Sequence, residues 1–182
     1  IQFSDIVQNT LLNFNKMGAY EIYNAQNKMQ EEFVKKFSFL HDVSDVLLYT
    51  NSKEKIIAYG DRGFTLKLKK EFLDDFLIDV VNKKGVAVWA AINEEDEERL
   101  VEYATSSELM NRNNGVILGR AIRSLMHGDM IIGSLIIRTN ERFFSNIYRN
   151  IDIGSGSDIF VMDNKGIVVS SRNPKIPVAE VY

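Results

Sequence analysis

The sequence of 182 residues contains no cysteine, only two prolines and only two histidines. Without cysteine the chain has no disulfide, no thiol nucleophile and no Cys-based zinc site. The absence fits a protein outside the cytoplasm, although cytosolic proteins also lack cysteine. Few prolines and no low-complexity tract argue against long disordered segments, and no run approaches the roughly 20 apolar residues of a membrane helix. The first residue is Ile1 rather than Met, and we expect the chain to be part of a larger protein.

Recognisable enzyme chemistry is also missing. His41 and His127 belong to no triad or metal-binding pattern, and no phosphate-binding or nucleophile motif occurs. Five consecutive acidic residues at 94–98 match no calcium loop, so we expect a solvated run there rather than a metal site. A net charge of -3 argues against nucleic acid as a partner. We therefore expect a non-enzymatic fragment without a cofactor or a metal.

Residues 1–40 contain no proline and one glycine, and their apolar side chains recur at spacings of mostly three and four. This periodicity predicts one long helix of about 60 Å, with a bend near Gly18. A helix of that length favours pairing with a second copy of the chain, or it links a distal module to a membrane. The alternative is two shorter helices of an ordinary bundle.

Strand and hairpin patterns follow. Residues 43–50 and 56–59 predict two strands around a polar turn, and 69–84 predict an amphipathic helix that Gly85 ends. Residues 86–92 predict a short apolar strand that contains the only Trp. The polar stretch 103–114 predicts a long irregular loop, and such loops are often functional.

Residues 116–151 form the most regular stretch of the chain. Two strands rich in Ile, Leu and Val flank a turn at Met126–Asp129, and an amphipathic helix follows, with Thr139 or Asn140 as its cap. The sequence does not decide which two residues occupy the centre of the turn, because either His127-Gly128 or Gly128-Asp129 fits there. That choice decides which way the Arg120 side chain points. Gly133, inside a buried strand, predicts a bulge or a close approach of another segment.

The last segment combines a flexible composition at 152–157 with a third hairpin at 158–171, turning at Asp163–Gly166. A lone hairpin is marginally stable, so we expect it to begin a second module. The predicted organisation is a helix at 1–40, a first module at 41–151, and a linker with an incomplete second module at 152–182.

In this order, the elements resemble an extracytoplasmic Cache sensor domain, the PAS-like module of bacterial membrane receptors. The resemblance covers nearly the whole chain. It rests on the hairpin at 46–59, the strand Ile132–Ile137 with the helix after it, and the pattern "hydrophobic strand, Asp-x-x-Gly, hydrophobic strand" at 159–169. It implies an α+β fold, in which a long N-terminal helix precedes a PAS-like antiparallel sheet flanked by helices.

Within that family, the sequence pattern most resembles the ectodomains of Gram-positive sensor histidine kinases, which are often linked to carbohydrate uptake. This closer resemblance rests on Trp89 in its strand and on the pair Arg120 and Ile122. The resemblance implies a ligand-sensing domain on the outer face of the membrane, in a membrane-anchored two-component receptor that dimerises through its first helix. Ligand binding would then shift the packing of that helix and of the linker at 152–157. The residues typical of amino-acid-binding Cache domains are not found, so a carbohydrate or an organic acid is the expected ligand.

A sensor pocket needs a few polar groups on an apolar wall. The candidate ligand-binding residues are Tyr59, Asp61, Trp89, Tyr103 and Arg120. Aromatic rings would stack on a sugar or an organic ligand, and Arg120 would bind a carboxylate. For Trp89 the alternative is a place in the core, and for Arg120 it is a place in solvent.

Three alternative functions are open. The same ectodomain serves chemoreceptors and cyclic-nucleotide enzymes. The fold also suits a dimerisation module that binds no ligand. A stand-alone enzyme is the least favoured, because the motifs are absent.

Overall fold

The computed structural model describes residues 4–37, 42–60, 67–92, 96–98, 115–140, 142–154, 156–163, 165–173 and 175–176. Its first part is helical, as predicted, but the helix is not continuous. Helix α1 spans Asp5–Asn13, a 3₁₀ turn spans Phe14–Lys16, and helix α2 spans Ala19–Phe37. The two shorter helices of the alternative interpretation are therefore the ones present.

The break lies where the sequence predicts a bend. Met17 is extended, and the Gly18 amide donates a hydrogen bond of 2.7 Å to Glu21 Oε2, which caps the start of α2. Helix α1 then lies antiparallel against α2. One groove between them has Asn13 and Glu21 at one end, and Ile6 and Lys28 at the other. The two helices form a hairpin instead of a 60 Å rod.

The sheet has five antiparallel strands in the order β2-β1-β7-β6-β4. These strands are β1 (Val43–Thr50), β2 (Lys55–Tyr59), β4 (Val88–Ile92), β6 (Gly115–Arg123) and β7 (Ile131–Asn140). The β1–β2 and β6–β7 hairpins are those predicted from the sequence. The long-range pairing of β1 with β7 joins them, with Leu48 opposite Leu135. A short pair, β3 (Lys67–Leu68) with β5 (Glu97–Glu98), lies apart from this sheet.

Each face of the sheet is covered by helices. Val46, Leu48 and Leu135 face α1 and α2, and we call this side the α1–α2 face. Leu47, Tyr49 and Ile136 face helix α3, which spans Lys70–Asn82, and we call this side the α3 face. The alternation along β1 is the one its sequence predicts.

Two strand glycines allow this close packing. A Cβ at Gly133 would lie 2.5 Å from the Tyr49 carbonyl oxygen and 3.1 Å from Leu11 of α1. The close approach predicted at Gly133 is confirmed. A Cβ at Gly119 would lie 2.3 Å from Val80 of α3. Any side chain at either position would push a neighbouring element away.

The C-terminal part packs against the β4–β6 edge. Helix α4 spans Arg142–Tyr148, and the third predicted hairpin is present as β8 (Phe160–Met162) and β9 (Val168–Ser171). The predicted caps of α4, Thr139 and Asn140, are wrong because both residues belong to β7. The Tyr148 hydroxyl and Ser170 Oγ lie 2.5 Å apart in a buried hydrogen bond that fastens β9 to α4.

The architecture is α+β, with helices followed by an antiparallel sheet that helices flank, and it is a PAS-like fold of the Cache type. This confirms the predicted fold class. Among the helices that the structure describes, none combines the length and the apolar character that crossing a bilayer requires.

Candidate functional site

Of the five predicted ligand-binding residues, three belong to the described part of the chain, and the sheet separates them. Tyr59 ends β2 at one edge, whereas Trp89 lies in β4 at the other. Four strand spacings between the edges amount to roughly 19 Å. The Tyr59 ring packs on Phe37 of α2, with the ring centroids 5.9 Å apart. Tyr59 and Trp89 therefore do not line one small pocket.

The direction of Arg120, open in the sequence, is defined by the β6–β7 pairing. Arg120 lies opposite Leu135 and so lies on the α1–α2 face. Its Nε donates a hydrogen bond of 2.7 Å to the carbonyl oxygen of Gly85, in the turn after α3, and the residue is exposed. This contact gives Arg120 a structural partner. Its predicted ligand contact stays a prediction.

Asp61 and Tyr103 lie outside the described residues, as does the whole of the predicted loop at 103–114. Their assignment to a ligand site stays a prediction. They belong to the segments that follow Gly60 and precede Gly115, and both of these glycines are described.

A buried charged cluster on the α3 face was not predicted. Asp45 of β1 pairs directly with Arg138 of β7, and Arg138 Nε lies 3.8 Å from Asp45 Oδ2. Arg138 is only 4% exposed and Asp45 only 8%. At 3.8 Å this contact is an ion pair rather than a direct hydrogen bond. The cluster places a guanidinium and a carboxylate on a wall that is mostly apolar.

Tyr49 lies on the same face and completes the cluster. Burial raises the pKa of its phenol, the positive charge of Arg138 lowers it by less, and the negative charge of Asp45 raises it. The net effect is a pKa of about 12. The Tyr49 hydroxyl therefore stays protonated across the physiological pH range. Phenol, carboxylate and guanidinium together provide donors and acceptors of the kind that bind small polar ligands.

Glycine is required where the chain passes this cluster. Gly60 has a φ of +119°, and a Cβ there would lie 2.4 Å from Asp45 Oδ1. A Cβ at Gly115 would meet Arg138 Nη2 at 3.9 Å, an ordinary contact. Gly60 thus lets the backbone touch the carboxylate, and the segment with Asp61 begins at that point.

A separate cavity of about 460 Å³ contains the third predicted residue, Trp89. It lies between β4, α4 and the β8–β9 hairpin. Trp89 is 37% exposed, so the alternative of a fully buried core position is wrong. Its ring meets Phe144 of α4 edge-on, with the centroids 5.5 Å apart.

Among the residues that the structure describes, no three histidine or carboxylate side chains form a group that would hold a metal ion. Two residues of the acidic run, Glu94 and Glu95, lie outside the described residues.

The sequence contains a faint signal for the charged cluster. Asp45 interrupts an apolar strand. Arg138 follows six apolar residues, three on each side of Gly133 and Ser134. Either residue alone is typical of a strand end that faces solvent. Only the β1–β7 pairing, between strands about 90 residues apart in the chain, places them opposite each other.

The described elements show a PAS-like α+β fold. No family model matches the sequence, and no curated protein matches it. Among solved structures, the chain is similar to the ligand-binding domain of the Campylobacter jejuni chemoreceptor Tlp3, in complex with 4-methylisoleucine. The two are 11% identical, the match covers 94% of this chain and 64% of that one, and the TM-score is 0.48. The chain thus spans less than two thirds of that structure's length.

Proposed function

We propose that this chain is the ligand-sensing domain of a bacterial membrane receptor, located on the outer face of the membrane, whose parent protein is a sensor histidine kinase. The observation that supports it best is the buried Asp45–Arg138 pair on one face of a PAS-like sheet. A buried ion pair is a poor source of stability, because desolvation offsets most of the Coulombic attraction. A functional role accounts for its presence better than a structural one.

The proposed ligand is a small organic acid or a carbohydrate that approaches the cluster from the α3 face. A carboxylate or a set of hydroxyls competes with Asp45 for the Arg138 guanidinium, which has five N–H donors. Asp45 and Arg138 lie on neighbouring strands, so the competition changes the β1–β7 contact. Strand β1 follows α2 and strand β7 leads to α4. The signal therefore reaches both ends of the domain.

A thermal-shift screen of organic acids, sugars and amino acids tests this proposal. We expect at least one compound to raise the Tm of the wild type. Arg138→Lys keeps the charge but loses the planar fork, and it should weaken binding of that compound by about tenfold or more. Arg120→Lys is the matched control, since Arg120 is exposed on the opposite face. Direct sensing is contradicted if no compound stabilises the protein, or if Arg138→Lys binds as tightly as the wild type.

The kinase output is tested on the full-length protein in membranes. A ligand from the screen should change autophosphorylation of the parent protein, and Arg138→Lys should shift that response to higher ligand concentrations. A receptor that changes its methylation or a cyclic-nucleotide level instead would support the alternative outputs.

The proposed homodimer forms through α2. Tyr20, Tyr23 and Val34 are exposed by 76%, 54% and 44%. At about 100° per residue they fall within roughly 60° of one another on the helix. Ala25, Met29 and Phe33, on another side of α2, are buried against the sheet. An exposed apolar stripe on a helix suits pairing with the same stripe of a second copy.

A further inference from the structure

The cavity beside Trp89 is built by two parts of the chain. Trp89 and Val86 belong to β4 and the segment before it, and Phe144 belongs to α4. Val161 and Val169 of the β8–β9 hairpin form the opposite wall. The volume of about 460 Å³ falls within the range of about 300 to 1,000 Å³ that is typical of small-molecule pockets. The cavity has room for one aromatic ring with a short substituent.

Its walls favour an aromatic ligand. Trp89 and Phe144 lie edge to face at 5.5 Å, and Phe143 meets Phe144 in the same way at 5.3 Å. Such edge-to-face pairs are a preferred geometry for aromatic rings. Trp89 keeps 37% of its surface exposed although it lies within a strand. An aromatic ring placed against Trp89 therefore gains stacking and apolar contact together.

The described lining of the cavity contains one cationic and one anionic side chain. Lys83, after α3, is the one cation among the described lining residues, and it is exposed. Asp163 also lines the cavity, but its Oδ1 accepts hydrogen bonds from the Lys165 and Ile167 amides at 2.8 and 2.9 Å. These hydrogen bonds hold the Asp163 carboxylate in its own turn, where it keeps its negative charge, and Lys83 is the side chain that a ligand carboxylate would approach.

We propose that this cavity binds a small aromatic monocarboxylate, at a site separate from the Asp45–Arg138 cluster. The ring lies against Trp89 and Phe144, and the carboxylate lies near Lys83. Because Val161 and Val169 form the opposite wall, the bound ligand holds the β8–β9 hairpin against the sheet. The site therefore regulates how firmly the C-terminal hairpin docks, in addition to any ligand sensed on the α3 face.

The single Trp of the chain makes the test direct, since all Trp fluorescence comes from this cavity. Phenylacetate is the probe, with phenethylamine and benzyl alcohol as its cationic and neutral counterparts. We expect a saturable change in Trp89 emission with phenylacetate, and weaker binding of the other two compounds. Amide hydrogen exchange in β8 and β9 should slow when phenylacetate is bound.

Three variants sharpen the test. Val86→Phe places a ring at the exposed Val86 and should weaken phenylacetate binding at least tenfold. Lys83→Gln should weaken it up to about fivefold, the effect of one exposed ion pair, whereas Lys70→Gln removes a distant charge of α3 and should have no effect.

The proposal is overturned if phenylacetate gives no saturable change, or if Val86→Phe binds it as the wild type does. Equal binding of phenylacetate and phenethylamine, together with no effect of Lys83→Gln, would overturn the assignment of an acid. Circular dichroism confirms that each variant is folded. If Val86→Phe is not folded, the comparison of Lys83→Gln with Lys70→Gln still decides the outcome.

Discussion

Gly119 determines how closely α3 approaches the sheet. An added Cβ would lie 2.3 Å from Val80 and 2.6 Å from Phe76, both on α3. We expect Gly119→Ala to lower the free energy of unfolding by about 1–3 kcal/mol, because α3 must move outward. Urea denaturation measures the change. Gly128→Ala, in a loop where the added Cβ meets no heavy atom within 4 Å, is the control and should be nearly neutral. Equal stability of the two variants would contradict this packing.

Tyr49 should make the fold less stable as the pH rises into the alkaline range. Its pKa is about 12 in the folded chain against an ordinary value of 10.0. A group whose pKa rises on folding contributes stability that is fully present below the unfolded pKa and is lost as pH rises toward the folded one. Two pKa units correspond to about 3 kcal/mol. Between pH 10 and pH 12 the wild type should therefore lose up to that much more stability than Tyr49→Phe. Parallel denaturation curves of the two proteins across this range would contradict the prediction.

The residues of the candidate site show where sequence patterns stop being informative. Trp89 was identified because it is the only Trp within an apolar strand, and it does line a cavity. Asp45 and Arg138 were missed because each has an ordinary local context. Their burial results from a pairing between β1 and β7, and strand patterns do not reveal long-range register.

At the scale of elements, the hairpins were predictable from the sequence. Their two strands and the turn between them are consecutive in the chain, so the apolar runs and the turn residues can be recognised side by side. The Asp163 turn is one example: its carboxylate accepts two amides of the turn itself. Continuity of the first helix was not predictable from periodicity. The apolar stripe runs through Gly18, but Met17 adopts an extended conformation there, and α1 gains more burial by folding onto α2 and β7.

A buried polar contact joins the C-terminal hairpin to α4. The Tyr148 hydroxyl of α4 and Ser170 Oγ of β9 share a hydrogen bond of 2.5 Å, and Ser170 is fully buried. Tyr148→Phe removes this hydrogen bond, at a cost of about 1 kcal/mol. Amides of β8 and β9 should then exchange about fivefold faster, or more.

Ser157→Ala, at an exposed position of the linker, is the control for that measurement and should leave exchange unchanged. If Tyr148→Phe also leaves the β8–β9 amides unchanged, the apolar contacts of Val161 and Val169 suffice to hold the hairpin.

For the whole molecule, the order of elements along the chain was enough to indicate the PAS-like class, because that order is a property of the sequence. The sheet order β2-β1-β7-β6-β4 follows only once β1 and β7 pair. The surface available for the proposed dimer differs from the one expected from the sequence. The described helices do not form a rod of about 60 Å, since α1 folds back on α2. What remains for a partner is the exposed stripe of Tyr20, Tyr23 and Val34 on α2.

This stripe gives the dimer a specific test. We expect the wild type to sediment as a dimer, and Tyr20→Glu combined with Tyr23→Glu to sediment as a monomer, because two like charges meet two more across a symmetric interface. Ile78→Glu is the matched control, since Ile78 is also an apolar helical residue, 52% exposed, but on α3. It should leave the dimer intact. A wild type that stays monomeric at high concentration would contradict pairing through α2. A dimer that Ile78→Glu disrupts and the tyrosine variant does not would place the interface on α3 instead.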